Sequence, residues 1–445
     1  MQNKLMHPGF LSLIATQFFG AMNDNVLKGI LTFMVIDGSW AGQLGSGGQG
    51  IVGICFTVPF ILLSAFAGQL ADRYSKRTVT LWVKALEIPI AGLAGYGFFI
   101  GDLWITLAAL VALTCQSSFF GPAKYGMIPE LVGTGQLSRA NGTINMLTNV
   151  AVIVGTLISG VVSDRYSPQA EQSGVLWLPA ISLLLVAILG FISSWFLTGL
   201  RQGDSSIQYR LNPFEAYVHT VKKMKNTPLF MIMMAWAYFY LLAGIALFIV
   251  PEYTLVLNVS RAEASVLMGV LGIAIGVGCG VAGYVSGRDI EPRLIPVGAV
   301  GLTVFFFLLA FVPPSLAGGE GSTRIALSNV SWFILGAGFF AGFYIVPLQS
   351  LLQGLSPDSQ RGQYLGTANA ISFGFMTLAA VFYWLVRDLF GDQPQKIFYL
   401  CSLLMGLGAA FFIWKLSGIR AHLKALEIEL TGPSDDVTSN EVGGA

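Results

Sequence analysis

The chain has 445 residues, of which 54% are hydrophobic and 11% charged, and its formal net charge at pH 7 is +1. Soluble domains carry about a quarter charged residues, so this composition excludes a soluble protein and requires a lipid bilayer around the chain. The small net charge gives no indication of nucleic-acid binding, and we expect no nucleic-acid partner.

Twelve apolar segments follow along the chain, each about long enough to cross ~30 Å of hydrocarbon as a helix. They predict an all-α integral membrane protein with twelve transmembrane helices in two six-helix halves. The predicted units are an N-terminal half at 1–200, a linker at 201–227, a C-terminal half at 228–418 and a polar, disordered tail at 419–445. The apolar segments are 10–36, 47–71, 78–100, 103–121, 140–163, 176–200, 228–256, 262–287, 292–313, 326–352, 363–388 and 395–418.

The linker contains a short predicted helix. Asn212 has the position of an N-cap, Pro213 that of a first-turn proline and Glu215 that of the acid in a capping box. Apolar residues at helical spacing and nearby lysines follow, so the helix is amphipathic. It either lies on the inner leaflet with its lysines towards anionic headgroups, or packs its apolar face on the bundle as a connector. The sequence leaves both alternatives open.

Lysine and arginine are unevenly distributed between the two sets of loops. If the N-terminus is cytoplasmic, seventeen of them lie on the cytoplasmic side and five on the opposite side. The first outer loop, 37–50, has none. This positive-inside bias predicts that both termini are cytoplasmic.

A short motif recurs after the second, fifth and eighth apolar segments. Its fullest copy is GQLADRYSKR at 68–77, and shorter copies are GVVSDRY at 160–166 and GYVSGR at 283–288. The motif returns after every third apolar segment, which indicates that a unit of three spans has been duplicated. Such internal symmetry is typical of transporters.

The two halves also resemble each other. FFG at 119–121 precedes ANG at 140–142, and FFA at 339–341 precedes ANA at 368–370. With twelve spans and the Asp-Arg motif, the chain resembles the major facilitator superfamily, although Ser75 stands where that family often has glycine. The resemblance implies a substrate site between the halves, which rocking exposes alternately to either side.

The resemblance also implies that the loop motif is a conformational latch. We expect the Asp72 carboxylate near the N-terminus of the eleventh helix, where the helix dipole favours it, and the neighbouring arginines near acids or helix ends. The alternative is a simple positive-inside anchor. The predicted latch residues are Gly68, Asp72, Arg73, Arg77, Glu130 and Arg139.

Charged residues inside the apolar segments mark a candidate site, because each costs at least ~2.5–3.5 kcal/mol at mid-membrane unless it is paired or hydrated. Asp24 and Lys28 are four residues apart and can neutralise each other on one helix face, with Asn25 beside the acid. They form either a structural ion pair or a face turned to an aqueous cavity. Lys84 and Glu87, one turn apart near a helix end, favour a structural role.

Two further charges lie next to prolines. Lys124 follows the helix-breaking sequence 121–123, which would leave its ammonium at a cavity mouth. Glu252 follows Pro251, so we expect a kink there, and its carboxylate either gates the pathway or reaches the outer interface. The four cysteines fall inside different spans and the three histidines outside them. We therefore predict no enzyme, no metal and no other cofactor.

Four stretches carry a narrower resemblance: 17–25 (QFFGAMNDN), 121–131 (GPAKYGMIPEL), 138–142 (SRANG) and 343–353 (FYIVPLQSLLQ). Together they resemble the bacterial lysophospholipid transporter family. The resemblance implies a flippase of the bacterial inner membrane, which moves lysophosphatidylethanolamine or lysophosphatidylglycerol from the outer to the inner leaflet. An acyltransferase on the cytoplasmic side then restores the second chain. By motif match, Asp24 and Lys124 meet the headgroup, while Lys28 stands where the family frequently has an apolar residue.

The physical requirements of such a substrate fit these residues. A headgroup with one phosphate needs one or two cations, which Lys28 and Lys124 can supply, and an ethanolamine ammonium can meet Asp24 or Glu252. Two alternatives stay open. One is a proton-coupled exporter of drugs or another small amphiphile, with Asp24 as the protonation site, and the other is a non-transporting membrane scaffold or sensor. We expect a monomer, because the cleft forms within one chain.

Overall fold

The computed structural model describes residues 5–36, 38–44, 48–166, 173–198, 200, 202–207, 210, 212–257, 261–287, 290–313, 328–391 and 393–431. This part of the chain is all-helical, with twelve long helices. They are α1 (Pro8–Ile36), α2 (Gly48–Arg73), α3 (Lys76–Ile100), α4 (Leu103–Val132), α5 (Leu137–Arg165), α6 (Leu178–Trp195), α7 (Pro228–Ile249), α8 (Arg261–Val285), α9 (Leu294–Ala310), α10 (Asn329–Leu355), α11 (Arg361–Arg387) and α12 (Ile397–Thr431).

The predicted membrane spans are borne out by the helices. Among the described residues, ten helices are long and apolar enough to cross a membrane, and α9 is a shorter apolar helix. The remaining long helix, α1, carries the polar residues 23–25 and Lys28 in its middle. Local signals set some boundaries: Gly101 adopts a left-handed conformation after α3, and the Asp102 side chain accepts a hydrogen bond from the Ile105 amide to start α4. The chain is therefore a multi-pass membrane protein.

The two six-helix halves repeat the same packing. In the first half α1 packs on α5, α2 on α4, and α3 on both α4 and α6. In the second half α7 packs on α11, α8 on α10, and α9 on both α10 and α12. Each of these pairs recurs six helices later. The resemblance between the two halves that the sequence predicted is thus present in the packing.

The halves meet along two helix pairs, α2 with α11 and α5 with α8. Glycines allow this approach: a Cβ on Gly68 would lie 2.9 Å from the Gln363 Cα atom, and one on Gly142 would lie 2.9 Å from the Gly283 Cα atom. Small residues at such contacts let helix backbones approach closely within a membrane. The contacts lie towards the end of the bundle that carries the linker and the α2–α3 and α10–α11 loops, called here the linker end.

The predicted linker helix spans Pro213–Met224, and the Asn212 side chain caps it. One face packs on the bundle, where the Tyr217 hydroxyl donates to the Ile61 carbonyl of α2 at 2.5 Å. Phe214 and Val218 on another face are exposed. One face of the linker helix therefore packs on the bundle, as the connector alternative proposed. Phe214 and Val218 are the apolar residues that stay available to contact the membrane surface.

The end of the chain differs from the expectation. Residues 419–431, predicted as part of a disordered tail, continue α12 as a helix to Thr431. This stretch is rich in Ala, Leu, Lys and Glu, which favour helix without needing a buried face. Residues 432–445, the rest of the predicted tail, lie outside the described residues.

Candidate functional site

Five charged side chains from three helices of the N-terminal half come together inside the bundle. Asp24 interacts electrostatically with Glu87, Lys84 and Lys28, and Lys124 interacts with Asp24 and Lys84. We call this group the charged cluster; its members are Asp24 and Lys28 on α1, Lys84 and Glu87 on α3, and Lys124 on α4.

The centre of the cluster is a buried ion pair. The Lys84 ammonium lies 2.6 Å from Glu87 Oε2, and both side chains are almost fully buried. Glu87 Oε1 accepts from Asn23 of α1 at 2.8 Å, and Oε2 accepts from Gln116 of α4 at 3.4 Å. A buried ion pair needs such additional donors to offset its desolvation. This pair therefore joins α1, α3 and α4, in agreement with the structural role that its spacing favoured.

Asp24 and Lys28 do not form the direct pair that their spacing allowed. Both oxygens of Asp24 lie 3.1 Å from the Ser117 hydroxyl of α4. The Lys28 ammonium lies over the ring of Phe56, 4.9 Å from its centroid. Within the described residues, no ion pair within 4 Å joins Asp24 to Lys28. Their side chains instead diverge towards α4 and α2, because each finds a partner there.

Lys124 does not lie at a helix break. Instead α4 continues through Pro122 and Pro129 as one helix, contrary to the predicted interruption. Proline is tolerated in membrane helices because neighbouring groups satisfy the freed carbonyls. Lys124 is 8% exposed, and its ammonium lies 4.2 Å from the centroid of the Tyr125 ring. Tyr125 also lines a cavity between the halves, so Lys124 lies just behind the cavity wall.

That cavity has a volume of about 320 Å³ and two different walls. The N-terminal half contributes Tyr125, Asn145, Thr148 and Asn149, all polar or amphipathic. Gln17 of α1 donates to Thr148 at 3.1 Å, which links this wall to the helix that carries Asp24. The C-terminal half contributes a wall that is apolar apart from Tyr240 and Cys279: Phe239, Leu242, Ala243, Ala246, Leu247, Leu271, Ile275, Leu302, Phe306, Ala337, Gly338, Ala341, Ile345 and Met405.

The structure does not bring Glu252 to this site. As its proline predicted, the helix changes there: α7 ends at Ile249 and a 3-10 turn covers Val250–Glu252. Glu252 accepts from Arg387 Nε at 2.6 Å and from the Tyr383 hydroxyl at 2.5 Å, both on α11. The carboxylate thus ties two helix ends of the C-terminal half together, away from the charged cluster. Asn25 is partly buried and bonds to its own helix, where its amide donates to the Ala21 carbonyl at 2.7 Å.

Asp72 lies where the sequence placed it. Its Oδ1 accepts from the Gly362 amide at 2.6 Å and its Oδ2 from the Gln363 amide at 2.9 Å. These amides belong to the first turn of α11, so a carboxylate from one half caps a helix of the other. Gly68, one turn earlier on α2, is buried against Gly362.

The other predicted latch residues surround this contact at the linker end. Arg73 donates to the Ile207 carbonyl of the linker at 2.8 Å, and Arg77 donates to the Leu197 carbonyl after α6 at 2.7 Å. Glu130 of α4 forms a buried ion pair with Lys76 of α3 at 2.7 Å. The Arg139 guanidinium of α5 lies 5.8 Å from the ring centroid of Tyr284 on α8, across the boundary between the halves.

Sequence reasoning missed a ladder of amides on the other side of the same boundary. Asn141 of α5 donates to Gln353 Oε1 of α10 at 2.8 Å and accepts from its Nε2 at 3.1 Å. One turn away, Asn145 donates to Gln349 at 2.7 Å. Amide residues four apart in each of two apolar helices were the available signal. The contacts of Gln116 and Ser117 with the charged cluster were not predicted either, because a single polar residue in an apolar segment does not indicate its partner.

Comparison with known proteins identifies the architecture. The model of the Major Facilitator Superfamily matches residues 13–373. Proteins named lysophospholipid transporter LplT are similar along most of the chain. The one from Photorhabdus laumondii is 28% identical, covering 83% of this chain and 84% of its own, and one from Yersinia pestis is 24% identical, covering 91% and 89%.

Solved structures share the fold at low sequence identity. The transporter FucP in the outward conformation aligns with a TM-score of 0.66 at 13% identity, covering 90% of this chain and 98% of its own. A bacterial homologue of the iron transporter ferroportin, in an outward-facing state, aligns with a TM-score of 0.66 at 15% identity, covering 92% and 99%. These structures support the fold alone.

Proposed function

Because the chain belongs to the major facilitator superfamily, we propose that it transports lysophospholipids. The substrates would be lysophosphatidylethanolamine and lysophosphatidylglycerol, carried from the outer to the inner leaflet of a bacterial inner membrane. An acyltransferase on the cytoplasmic side would then restore the second chain. The similarity to LplT proteins along most of the chain supports this assignment.

The observation that carries the proposal is the division of the cavity into two walls. A lysophospholipid has one charged headgroup and one long acyl chain, so its site must be polar on one side and apolar on the other. The wall from the N-terminal half is polar and backed by the charged cluster, whereas the wall from the C-terminal half is almost wholly apolar. A sugar or an inorganic ion has no long apolar surface to pack against such a wall.

The residues then take separate roles. Lys124 and Lys28 attract the phosphate, because neither ammonium has a carboxylate within 4 Å among the described residues. Asp24, held by Ser117, receives a headgroup ammonium or hydroxyl. The acyl chain lies along Phe239, Leu242 and their neighbours on the opposite wall.

Release to the inner leaflet requires the linker end to open. Asp72 on the α11 amides and the close approach of Gly68 to α11 hold the halves together there. We propose that these contacts form the latch of the alternating-access cycle, with Arg73, Arg77, Glu130 and Arg139 bracing the helix ends around it. The contacts would break in the state that faces the cytoplasm.

One observation favours a second function, proton-coupled export of another small amphiphile. Asp24 is a carboxylate at membrane depth that has a hydroxyl as its hydrogen-bond donor and no cation within 4 Å in the described residues. Such a group suits a proton relay. Strong pH dependence of transport that disappears in Asp24→Asn would favour export over lipid uptake.

The test is uptake of labelled lysophosphatidylethanolamine from the outer leaflet of cells, scored by re-acylation inside. We expect uptake in the wild type and a severe loss in Asp24→Ala and in Lys124→Ala. Asp164→Ala is the matched control, because Asp164 is an exposed acid at the C-terminal end of α5 and does not belong to the charged cluster. No uptake by wild-type protein that is shown to be inserted would overturn the proposal, and full uptake in both site variants would overturn the residue assignment.

A further inference from the structure

The charged cluster does not balance its own charge. Three lysines and two carboxylates leave a formal excess of one positive charge within a membrane-embedded half. An uncompensated charge at this depth is costly, and proteins normally pair it or hydrate it. The excess charge therefore calls for solvent or a charged ligand beside the cluster.

The three lysines differ in ion pairing and in burial. Lys84 is neutralised directly by Glu87 at 2.6 Å, and both are almost fully buried. Lys124 is buried beside Tyr125, within electrostatic reach of Asp24. Lys28 also lies within electrostatic reach of Asp24 and over an aromatic ring, that of Phe56. It differs from Lys124 in being only partly buried, so its ammonium is the one that a ligand can approach. An aromatic face attracts a cation without cancelling its charge.

The position of Lys28 places this charge where a headgroup can meet it. It lies one helical turn from Asp24 on α1, and Asp24 contacts Ser117 of α4. A headgroup next to Asp24 is therefore within electrostatic range of Lys28. With Lys28 removed, the remaining two lysines and two carboxylates would balance, and an electrically neutral headgroup would suit the site best.

We propose that Lys28 selects headgroups with a net negative charge, so that the site prefers a lysophospholipid whose single phosphate is esterified to a neutral polyol over a zwitterionic one. A monoanionic headgroup neutralises the cluster. A zwitterionic headgroup brings an ammonium that cancels its own phosphate and leaves the excess charge in place. This inference rests on the proposed function and adds its headgroup selectivity.

The experiment compares two labelled lipids in the same vesicles, lysophosphatidylglycerol as the anionic probe and lysophosphatidylethanolamine as the zwitterionic one. We expect the wild type to favour the anionic probe. In Lys28→Met the anionic-to-zwitterionic uptake ratio should fall about tenfold, the effect of losing one charge-assisted contact. Lys28→Arg should keep the wild-type ratio, because it keeps the charge.

Two controls make the result specific. Lys415→Met removes the same charge from an exposed position on α12 and should leave the ratio unchanged. Lys28→Gln repeats the test with a polar side chain if Lys28→Met does not insert. An unchanged ratio in the neutral Lys28 variant, or an equal fall in Lys415→Met, would overturn the selectivity inference while transport persists. Failure of the inserted wild type to take up either lipid would overturn the proposed function itself.

Discussion

Asn141 and Gln353 exchange two hydrogen bonds across the boundary between the halves, at 2.8 and 3.1 Å, and both side chains are buried. The pair is neutral, so its strength does not depend on pH. Each residue is fully satisfied only while α5 and α10 stay together. The halves are therefore bridged at two places near the linker end, by this amide pair and by the carboxylate of Asp72 on α11.

Replacing one member of the amide pair should open the linker end. Asn141→Leu leaves the Gln353 amide buried without its partner, which costs about 1–3 kcal/mol. We expect a wider distance distribution between spin labels at Tyr74 and Ser359, two exposed positions of opposite halves, measured in a cysteine-free background.

The double variant Asn141→Leu with Gln353→Leu is the control, because replacing both partners by apolar groups is nearly neutral. It should return the label distances towards those of the wild type. If the single and double variants opened equally, the amide pair would have no part in closure.

The carboxylate of Asp72 should matter for closure of the linker end. Asp72→Asn keeps the size of the side chain but removes a charge at a helix N-terminus, worth about 0.3–1 kcal/mol and up to ~2 kcal/mol when partly buried. It also removes one of the two acceptors, because the amide nitrogen cannot accept from the second backbone N–H. We expect lower transport and easier labelling of the linker end by a water-soluble thiol reagent. Asp164 occupies the equivalent place in the second copy of the motif but is exposed, so Asp164→Asn should behave as wild type.

A methyl group between α2 and α11 should hold them apart. A Cβ on Gly68 would lie 2.8 Å from the Gly362 carbonyl carbon and 2.9 Å from the Gln363 Cα atom, both backbone atoms that cannot rotate away. Gly68→Ala should cost about 1–3 kcal/mol in the closed state and reduce transport. Gly92→Ala is the matched helical control, since its added Cβ would meet no atom within 4 Å. Equal effects of the two substitutions on transport would contradict this account.

The buried ion pair should be required for stability. Lys84→Met leaves the Glu87 carboxylate buried without its cation, a loss of about 3–5 kcal/mol. We expect a clearly lower midpoint of thermal unfolding in detergent. Lys84→Met combined with Glu87→Gln removes both charges while Asn23 and Gln116 still face an amide, so it should recover much of the loss. A double variant as unstable as the single one would show that the pair does not act as a unit.

Some of this site was accessible from the sequence, because its signals are local. The carboxylate of Asp72 was predicted at the start of the eleventh helix, and it caps Gly362 and Gln363 there. Asp24 and Lys124 stood out as charges inside or beside apolar segments. Their functional roles stay predictions, as do those of the other latch and binding residues.

The contact partners of these residues could not be predicted from the sequence. Asn23 and Glu87 are separated by 64 residues along the chain, and Glu252 and Arg387 by 135. Glu252 was predicted as a site residue, yet it pairs with α11 within the C-terminal half, whereas the charged cluster lies in the N-terminal half. Asp24 and Lys28 share a helix face, yet each contacts a different neighbouring helix.

By itself the sequence determined the number of spans, their grouping into two repeated halves and the family resemblance, because hydrophobic length and motif period can be read within a few dozen residues. The tertiary structure alone decided which charges form direct ion pairs and which lie against other partners. That outcome depends on how each helix is rotated and how closely its neighbours approach, and in a membrane bundle this follows from the packing of small and large side chains along whole helices.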